Sequence, residues 1–309
     1  MKYCFGIDIG GTTIKMGLFR EDGELLTKWE IKTSTVAHGE TILPYIASEI
    51  ELKMKMHHIK NEDIIGIGVG VPAAVYGEGI VESTTNIGWK YKNVKQEIEA
   101  LTGFAAVVEN DANMAALGEM WKGTGMGYNN LVMITLGTGV GGGIVSNGKL
   151  VSGVKGGAGE IGEIFVDYEL ASDGGKIFRN LEYYASATGI ARMAKRFLAE
   201  NKKETVLAPK NVTAKDVFDA VKLGDKVALE IADKFGFYLG QAISNLAVIL
   251  EPEIFVIGGG VSRAGSVLLE MVKKYYHNSN SKLMLASLGN DAGIYGAAYG
   301  VLNKAPWTE

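Results

Sequence analysis

Two glycine-rich loops are the residues of this sequence whose types and spacing point most directly to chemistry. They are Asp8-Ile9-Gly10-Gly11-Thr12-Thr13 and Leu136-Gly137-Thr138-Gly139. Glycines let backbone N–H groups approach an anion closely, and threonine hydroxyls add further donors. Each loop is followed by an alternating, β-branched stretch rather than by a helix, so each is predicted to be the tip of a β-hairpin. Two such tips can bind a polyphosphate from both sides.

Asp8 opens the first loop directly after a buried apolar strand. A carboxylate there would repel phosphate unless Mg²⁺ lay between them, so Asp8 is predicted to orient a metal–nucleotide, often through water. The alternative is that Asp8 only caps the turn. Thr12, Thr13 and Lys15 are further donors beside it, although Lys15 by itself is more typical of a solvated strand residue than of a ligand.

A second polar group, Glu109-Asn110-Asp111-Ala112-Asn113, stands where a strand over Phe104–Val108 meets a helix over Asp111–Met120. Strand ends that face a cleft are common ligand sites in α/β proteins. Asp111 could accept the proton of a sugar hydroxyl during phosphoryl transfer, and Asn110 could hydrogen-bond the sugar. The alternative is that this Asn-Asp pair only caps the helix.

The composition is that of a globular enzyme, with 309 residues, 47% of them hydrophobic and 21% charged. The length is comfortable for two domains. A net charge of −4 and scattered lysines argue against nucleic-acid binding. No signal peptide is recognisable, and no apolar stretch reaches the roughly 18 residues of a membrane span. Cys4 is the single cysteine, so a cytoplasmic protein without disulfides is expected.

Strand-rich runs separated by helices occur twice in the same order, and the second copy begins at Leu131. This duplicated strand–hairpin–helix pattern predicts an α/β fold of the two-lobed actin-like and sugar-kinase (ribonuclease H-like) type, with an interlobe cleft. The N-terminal lobe is predicted over residues 1–115 and the C-terminal lobe over 116–291, with a last helix, about 292–304, returning to the first lobe. Long helices are predicted over Leu181–Glu200 and Asp225–Leu250.

Several motifs resemble the ROK family of sugar kinases and repressors, in the family's order and across nearly the whole chain. They are Asp8–Thr13, Gly70-Val71-Pro72, Asn86–Trp89, Glu109–Asn113, Leu136–Gly143, Gly156–Gly162, Ala185–Ile190 and Glu251–Ser262. The stretches Ala115–Lys122 and Ala185–Ile190 resemble the family's bacterial glucokinase branch most.

The resemblance implies an ATP-dependent phosphorylation of glucose at its 6-hydroxyl, with Mg²⁺ and Asp111 as the catalytic base. A homodimer is common in such kinases. The residues that match the family's sugar ligands are Asn86, Asn110, Glu160 and Glu182. The segments that match its second phosphate loop and its nucleotide-side loop are Gly137–Gly139 and Gly258-Gly259-Gly260.

One segment departs from the family, which usually carries a histidine and three cysteines around zinc. Glu163 takes the histidine position, and the cysteine positions hold Asp173, Gly175 and Asn180. Because structural zinc needs four ligands, typically Cys and His, no zinc site is predicted. Residues 163–180 are expected to be irregular, and either ordered by inward packing of aromatic side chains or mobile. These side chains are Phe165, Tyr168 and Phe178.

Glu163 also changes the predicted sugar pocket, since an ionised carboxylate only accepts hydrogen bonds whereas a histidine can also donate. Beside Glu160 and Glu182 it would form a cluster of three carboxylates, in which like charges raise at least one pKa. Alternatively, Glu163 turns away from the pocket.

The sequence does not distinguish which sugar is the substrate, and N-acetylmannosamine, glucosamine and β-glucosides are alternatives to glucose. A repressor or non-catalytic sugar sensor is a more distant alternative. Repressors of the family carry a helix-turn-helix before the first phosphate loop, whereas this sequence reaches Asp8 almost at once and shows no basic recognition helix.

Overall fold

The computed structural model describes residues 1–84, 86–172, 174–201, 203–208, 210–277 and 280–303. The chain divides into two compact units. Unit 1 consists of Met1–Asn129, Gly143–Gly159 and Ser287–Glu309, and unit 2 of Asn130–Gly142 and Glu160–Ala286. The lobes predicted over 1–115 and 116–291 stay a prediction. Throughout the described ranges, every helix is too short or too polar to cross a membrane.

The described residues of the first half of the chain form seven strands and three α-helices. The strands are β1 (Tyr3–Ile9), β2 (Thr13–Arg20), β3 (Leu25–Lys32), β4 (Ile64–Val71), β5 (Ile80–Val81), β6 (Lys92–Asn93) and β7 (Ala106–Asn110). The helices are α1 (Ile42–Met56), α2 (Val94–Thr102) and α3 (Asp111–Lys122). Pro72 follows β4 directly, and a proline cannot donate to a continuing strand ladder.

The rest of the described chain contains a further seven strands and six α-helices. The strands are β8 (Leu131–Leu136), β9 (Val140–Ser146), β10 (Lys149–Leu150), β11 (Phe165–Leu170), β12 (Lys176–Asn180), β13 (Ile254–Gly258) and β14 (Lys282–Leu285). The helices are α4 (Leu181–Ala185), α5 (Ala187–Glu200), α6 (Ala214–Lys222), α7 (Lys226–Leu250), α8 (Ser266–Lys273) and α9 (Ala292–Leu302).

Two five-stranded sheets repeat one topology. The first has the order β3-β2-β1-β4-β7 and the second the order β10-β9-β8-β13-β14. In each sheet the central strand, β1 or β8, pairs in parallel with a later strand, which pairs in parallel with a still later one. The duplicated α/β fold predicted from the sequence is therefore confirmed. Both loops follow the first strand of their copy, which places them at the carboxyl ends of β1 and β8.

Helix α9 packs on the first sheet with its backbone almost in contact with the strands. A Cβ atom added at Gly6 of β1 would lie 2.1 Å from the carbonyl oxygen of Ile294. One added at Gly68 of β4 would lie 2.0 Å from the carbonyl oxygen of Ala297. No side chain fits in either place. These two glycines therefore allow α9 to lie directly on β1, which ends at the first loop, and on its neighbour β4.

The segment expected to be irregular is a β-hairpin, so that prediction is wrong. β11 pairs antiparallel with β12, and Gly174 and Gly175 stand in the connection. The inward packing predicted for the aromatic residues is also wrong, because Phe165 is 72% exposed and Phe178 59% exposed, with Tyr168 likewise exposed. Asp173, one of the family's cysteine positions, lies outside the described residues.

The helix predicted over Leu181–Glu200 is interrupted at Ser186, which separates α4 from α5. Ser186 has extended backbone angles, and its side chain accepts a hydrogen bond of 2.9 Å from the N–H of Gly189. A serine hydroxyl competes in this way for backbone groups and so starts a new helix. The strand predicted over Phe104–Val108 is shifted to Ala106–Asn110.

Candidate active site

The register of the first sheet brings two of the predicted sites to one edge. Asp8 of β1 is level with Gly70 of β4, and Gly70 is level with Glu109 of β7. Asp8 and Glu109 are thus two strands apart, about 10 Å at the usual strand spacing. Asn110 and Asp111 follow at the end of β7. The first glycine loop and the Asn-Asp pair therefore share the carboxyl edge of one sheet.

Asn110 caps helix α3. Its Oδ1 accepts hydrogen bonds from the N–H groups of Ala112 and Asn113, at 2.9 and 3.1 Å, and its Nδ2 donates to the carbonyl oxygen of Ala73 at 3.2 Å. Asp111 is half-buried in the first turn, with its Oδ1 2.8 Å from the N–H of Ala112. The cap fixes both residues at the start of the helix. The roles of Asp111 as base and Asn110 as sugar ligand stay predictions.

Glu109 is a buried carboxylate that sequence reasoning did not single out. It is 3% exposed, and it accepts hydrogen bonds from the Asn110 N–H, the Asn113 Nδ2 and the Ser152 hydroxyl, at 2.7, 3.1 and 3.2 Å. Burial raises the pKa of Glu109, and the three hydrogen bonds partly offset this rise. The carboxylate thus joins the end of β7, the first turn of α3 and the segment around Ser152.

Asp8 and Lys15 face each other across β1 and β2, with Oδ2 and Nζ 3.5 Å apart. Their side chains are 18% and 21% exposed, respectively. Lys15 therefore forms an ion pair, whereas its sequence position alone favoured a solvated side chain. Burial raises the pKa of Asp8, and the charge of Lys15 offsets part of the rise. A desolvated carboxylate with incomplete compensation fits Mg²⁺, which prefers oxygen ligands.

The first glycine loop is held by Thr33, the residue after β3. Its N–H donates to the carbonyl oxygen of Thr12 at 2.9 Å, and its hydroxyl donates to the carbonyl oxygen of Gly10 at 2.7 Å. A Cβ added at Gly11 would lie 3.1 Å from the Cβ of Asn86, so the predicted sugar ligand Asn86 lies beside this loop.

Unit 2 contains a cavity of about 630 Å³ beside the second glycine loop. Gly137 and Thr138 line one part of the cavity. Gly260, the last residue of the third glycine loop, Gly258-Gly259-Gly260, lines another part. Helix α6 and the turn after β13 supply residues that sequence reasoning missed, among them Lys215, Phe218, Lys222 and Arg263. A cavity lined by an aromatic residue and by cationic side chains suits a nucleotide. The amphipathic pattern of α6 was the sequence feature that could have pointed to its residues in this cavity.

Glu182 is joined to the second glycine loop. Its Oε2 accepts a hydrogen bond of 2.9 Å from the N–H of Val140, the residue that follows the loop. Within the loop, the N–H of Gly137 donates to the carbonyl oxygen of Gly139 at 2.9 Å. A residue predicted to bind sugar thus also fixes the predicted phosphate loop.

Glu160, Glu163 and Glu182 interact electrostatically. Partial burial and the negative charges of Glu163 and Glu182 raise the pKa of Glu160. One oxygen of Glu163 accepts a hydrogen bond of 3.1 Å from Nδ2 of Asn180. Both alternatives for Glu163, a place in the sugar pocket or a side chain that turns away from it, stay predictions. Over the described part of the chain, no group of three or more His, Cys, Asp or Glu residues could hold a metal ion.

The comparison with known families covers almost the entire chain, because the ROK family model matches residues 4–304. The chain belongs to the ROK family. This ROK protein is 44% identical over 312 residues to a glucokinase of Halalkalibacterium halodurans, covering 96% of this chain and 94% of the relative. It is 30% identical to a beta-glucoside kinase of Listeria monocytogenes over 308 residues, which is 96% of each chain.

Solved structures of ROK proteins share this fold. One is a ROK family glucokinase from Streptomyces griseus in complex with glucose and AMPPNP. It superposes with a TM-score of 0.76 at 31% identity, and the match covers 96% of this chain and 98% of the other. The ROK membership predicted from the sequence motifs is confirmed.

The contact between Gly139 and Glu182 makes Gly139→Ala a sharp test of the second loop. A Cβ at Gly139 would lie 2.3 Å from Oε2 of Glu182, so either the loop or the carboxylate must move. Loss of well-placed donors of this kind typically costs about 10²–10³ in rate, and we expect kcat/KM to fall by about 10². The control is Gly157→Ala, where an added Cβ meets nothing within 4 Å. Equal losses in both variants would contradict the assignment.

Proposed function

We propose that this chain is an ATP-dependent glucokinase, which transfers the terminal phosphoryl group of ATP to the 6-hydroxyl of glucose. The observation that carries the proposal is the position of Asp111, at the sheet edge that also holds the first glycine loop and Asp8. Support comes from the glucokinase relative at 44% identity and from the related structure with glucose and AMPPNP.

In this proposal Asp111 is the general base, and its carboxylate takes the proton of the 6-hydroxyl as the new P–O bond forms. Carboxylate and amide groups bind the remaining hydroxyls and orient the sugar. These groups belong to Asn86, Asn110, Glu160, Glu163 and Glu182. Because carboxylates only accept hydrogen bonds, each of the three glutamates requires a donor from the sugar. Positioning of this kind contributes much of the rate enhancement of a phosphoryl transfer.

The nucleotide is assigned to the cavity of unit 2, with its phosphates at the glycine loops. The residues assigned to them are Asp8, Gly10, Gly11, Thr12, Thr13 and Lys15 in one loop, Gly137, Thr138 and Gly139 in the second, and Gly258, Gly259 and Gly260 in the third. Mg²⁺ supplies positive charge to the triphosphate, and Asp8 would orient it. We assign no zinc. We also expect a cytoplasmic enzyme whose partners are a hexose and ATP rather than nucleic acid or membrane, and which forms a homodimer.

A coupled assay of ADP release over a panel of hexoses tests this function. Glucose should give the highest kcat/KM, and the product should carry its phosphate on the 6-hydroxyl. The panel also contains N-acetylmannosamine, glucosamine and a β-glucoside, because the beta-glucoside kinase relative at 30% identity favours this second sugar class. If one of these sugars gave the highest kcat/KM, the proposed kinase reaction would stand and that sugar would take the place of glucose as the substrate. ADP release from no sugar at all would contradict the kinase proposal and favour the sugar sensor.

The carboxylate cluster predicts a change in sugar preference for Glu163→Gln, which removes a charge at nearly constant shape. A protonated amine is stabilised by nearby carboxylates, so we expect the ratio of glucosamine to glucose kcat/KM to fall by about 1.5- to fivefold, the range expected for one exposed charge pair. Glu204→Gln provides the control, because it removes the same charge from an exposed position of unit 2.

The same variant should shift the acid limb of the kcat/KM profile. The negative charge of Glu163 contributes to the raised pKa of Glu160, so removing it lowers that pKa. If sugar binding requires ionised Glu160, the acid limb moves to lower pH in Glu163→Gln and stays in place in Glu204→Gln. An unchanged sugar ratio together with an unchanged profile would place the Glu163 side chain outside the pocket.

A further inference from the structure

The hairpin β11–β12 is inserted between two residues of the carboxylate cluster, Glu163 before it and Glu182 after it. Its base is closed by a hydrogen bond of 2.9 Å from the Leu181 N–H to the Ile164 carbonyl oxygen. At the same end, the Asn180 side chain accepts from the Tyr183 N–H at 3.0 Å and donates to Glu163 at 3.1 Å. The position of Glu163 therefore depends directly on where the hairpin lies.

The hairpin has little apolar burial of its own. Its two strands form a separate sheet, and Phe165 and Phe178 pair with each other, ring centroids 5.6 Å apart, while remaining largely exposed. An isolated two-stranded hairpin is marginally stable in water. Its position must therefore be fixed by contacts with the neighbouring helices.

The first such contact is made by Asp167 of β11. One oxygen of its carboxylate accepts hydrogen bonds from the hydroxyls of Tyr184 on α4, at 3.0 Å, and Tyr238 on α7. The two rings stack with centroids 3.7 Å apart and an interplanar angle of 14°. Tyr184 is 3% exposed and Tyr238 6% exposed. Two neutral hydroxyls here donate to one charged acceptor. Such hydrogen bonds are stronger than those between neutral groups, so this contact holds the hairpin firmly.

The ionisation of these groups agrees with that arrangement. Burial raises the pKa of Tyr184 to about 12 and also raises that of Tyr238, so both hydroxyls keep their protons at neutral pH. Burial opposes ionisation of Asp167, but the hydrogen bonds from the tyrosines and from a backbone N–H lower its pKa overall.

The second contact is made by Glu169 of the same strand. Arg179 of β12 donates to its Oε2 from Nη2 at 2.7 Å and from Nε at 3.2 Å, and Arg196 of α5 donates to its Oε1 at 3.0 Å. This contact is more exposed than the first, because Arg196 lies largely in solvent. Exposed ion pairs contribute little stability, so Asp167 is the main attachment.

We infer that Asp167 is a positioning residue, which through Tyr184 and Tyr238 fixes the hairpin against α4 and α7 and so places Glu163 and Glu182 for the sugar. The inference rests on the proposed function for its sugar, and on the contacts of unit 2 alone for its geometry. It assigns sugar affinity partly to a tyrosine of α7, which is remote in sequence from every predicted sugar ligand.

The test compares Tyr238→Phe and Asp167→Asn with wild type. Tyr238→Phe keeps the stacked ring and removes one donor, so it is the milder variant. Its matched control is Tyr275→Phe, since the Tyr275 hydroxyl donates at 2.7 Å to Asp233 on the same helix but does not touch the hairpin. We expect KM for glucose to rise about tenfold in Tyr238→Phe and further in Asp167→Asn, the range expected for a hydrogen bond to a charged group. In both variants, KM for ATP and kcat should stay close to the wild-type values. In the control Tyr275→Phe, KM for glucose should also stay close to the wild-type value.

Hydrogen exchange of the backbone provides a readout that does not depend on activity. Amides of the two strands should exchange faster in Tyr238→Phe and Asp167→Asn than in wild type or Tyr275→Phe. Folded variants with wild-type KM for glucose and wild-type exchange would overturn the inference, as would equal increases of both KM values. A wild-type protein that phosphorylates no sugar would instead contradict the proposed function, and faster exchange in the variants would still support the attachment.

Discussion

Asp111→Asn is expected to abolish turnover while leaving the fold and glucose binding intact. An amide oxygen can still accept the hydrogen bond that the Ala112 N–H makes to Oδ1, so the start of α3 is preserved. The amide cannot accept the proton of the sugar hydroxyl. General-base catalysis contributes about 10²–10⁴ in rate, and we expect kcat to fall within or beyond that range. The coupled assay gives kcat, and calorimetry gives glucose affinity.

The control for this variant is Asp225→Asn. Asp225 caps α7 by accepting a hydrogen bond of 2.9 Å from the Ala228 N–H, so it reports the general effect of neutralising an aspartate at the start of a helix. It should keep wild-type kcat. If Asp111→Asn retained more than about a tenth of wild-type kcat, well short of the loss expected for a missing base, Asp111 would not be the base.

Removal of Mg²⁺ should stop the reaction altogether. The glycine loops provide N–H and hydroxyl donors, and Lys15, the cation beside the first loop, is already paired with Asp8. The charge of a triphosphate is therefore incompletely balanced without a divalent cation. Charge stabilisation by a metal amounts to several kcal/mol, which corresponds to about a thousandfold or more in rate.

The measurement is the initial rate in excess chelator, followed by re-addition of Mg²⁺. The rate should return with free Mg²⁺, whereas chelators selective for zinc should leave the melting temperature unchanged. Full activity in excess chelator would rule out this part of the mechanism.

Local patterns were sufficient to predict most of the fold. β4 was predicted with its observed bounds because an apolar run ends at Pro72, and both hairpins at the glycine loops follow from alternation on either side of the glycines. The hairpin β11–β12 was missed because its attachment is not local: Asp167 and Tyr238 are 71 positions apart. No periodicity in either segment indicates that they meet.

In the candidate site too, the sequence indicates residues in local motifs but not residues that meet only through tertiary contacts. Asp111 is recognisable because it follows a strand and opens a helix in a family motif, and Asp8 because it opens a glycine loop. Glu109 gathers donors from a neighbouring residue, a helix turn and Ser152, and Phe218 reaches the cavity from a helix remote in sequence from the second loop. Such residues become visible only when distant segments are brought together by the tertiary structure.

The close contact of α9 with β1 and β4 has a consequence for biosynthesis. Unit 1 is discontinuous in sequence, and α9 follows the whole of unit 2. On the ribosome, the apolar face of the first sheet that α9 covers must therefore stay exposed while the 140 residues of unit 2 are made, roughly 7–28 s at usual elongation rates. Unit 2 can complete its own core earlier, so the half of the chain that is synthesised first is the half that finishes folding last.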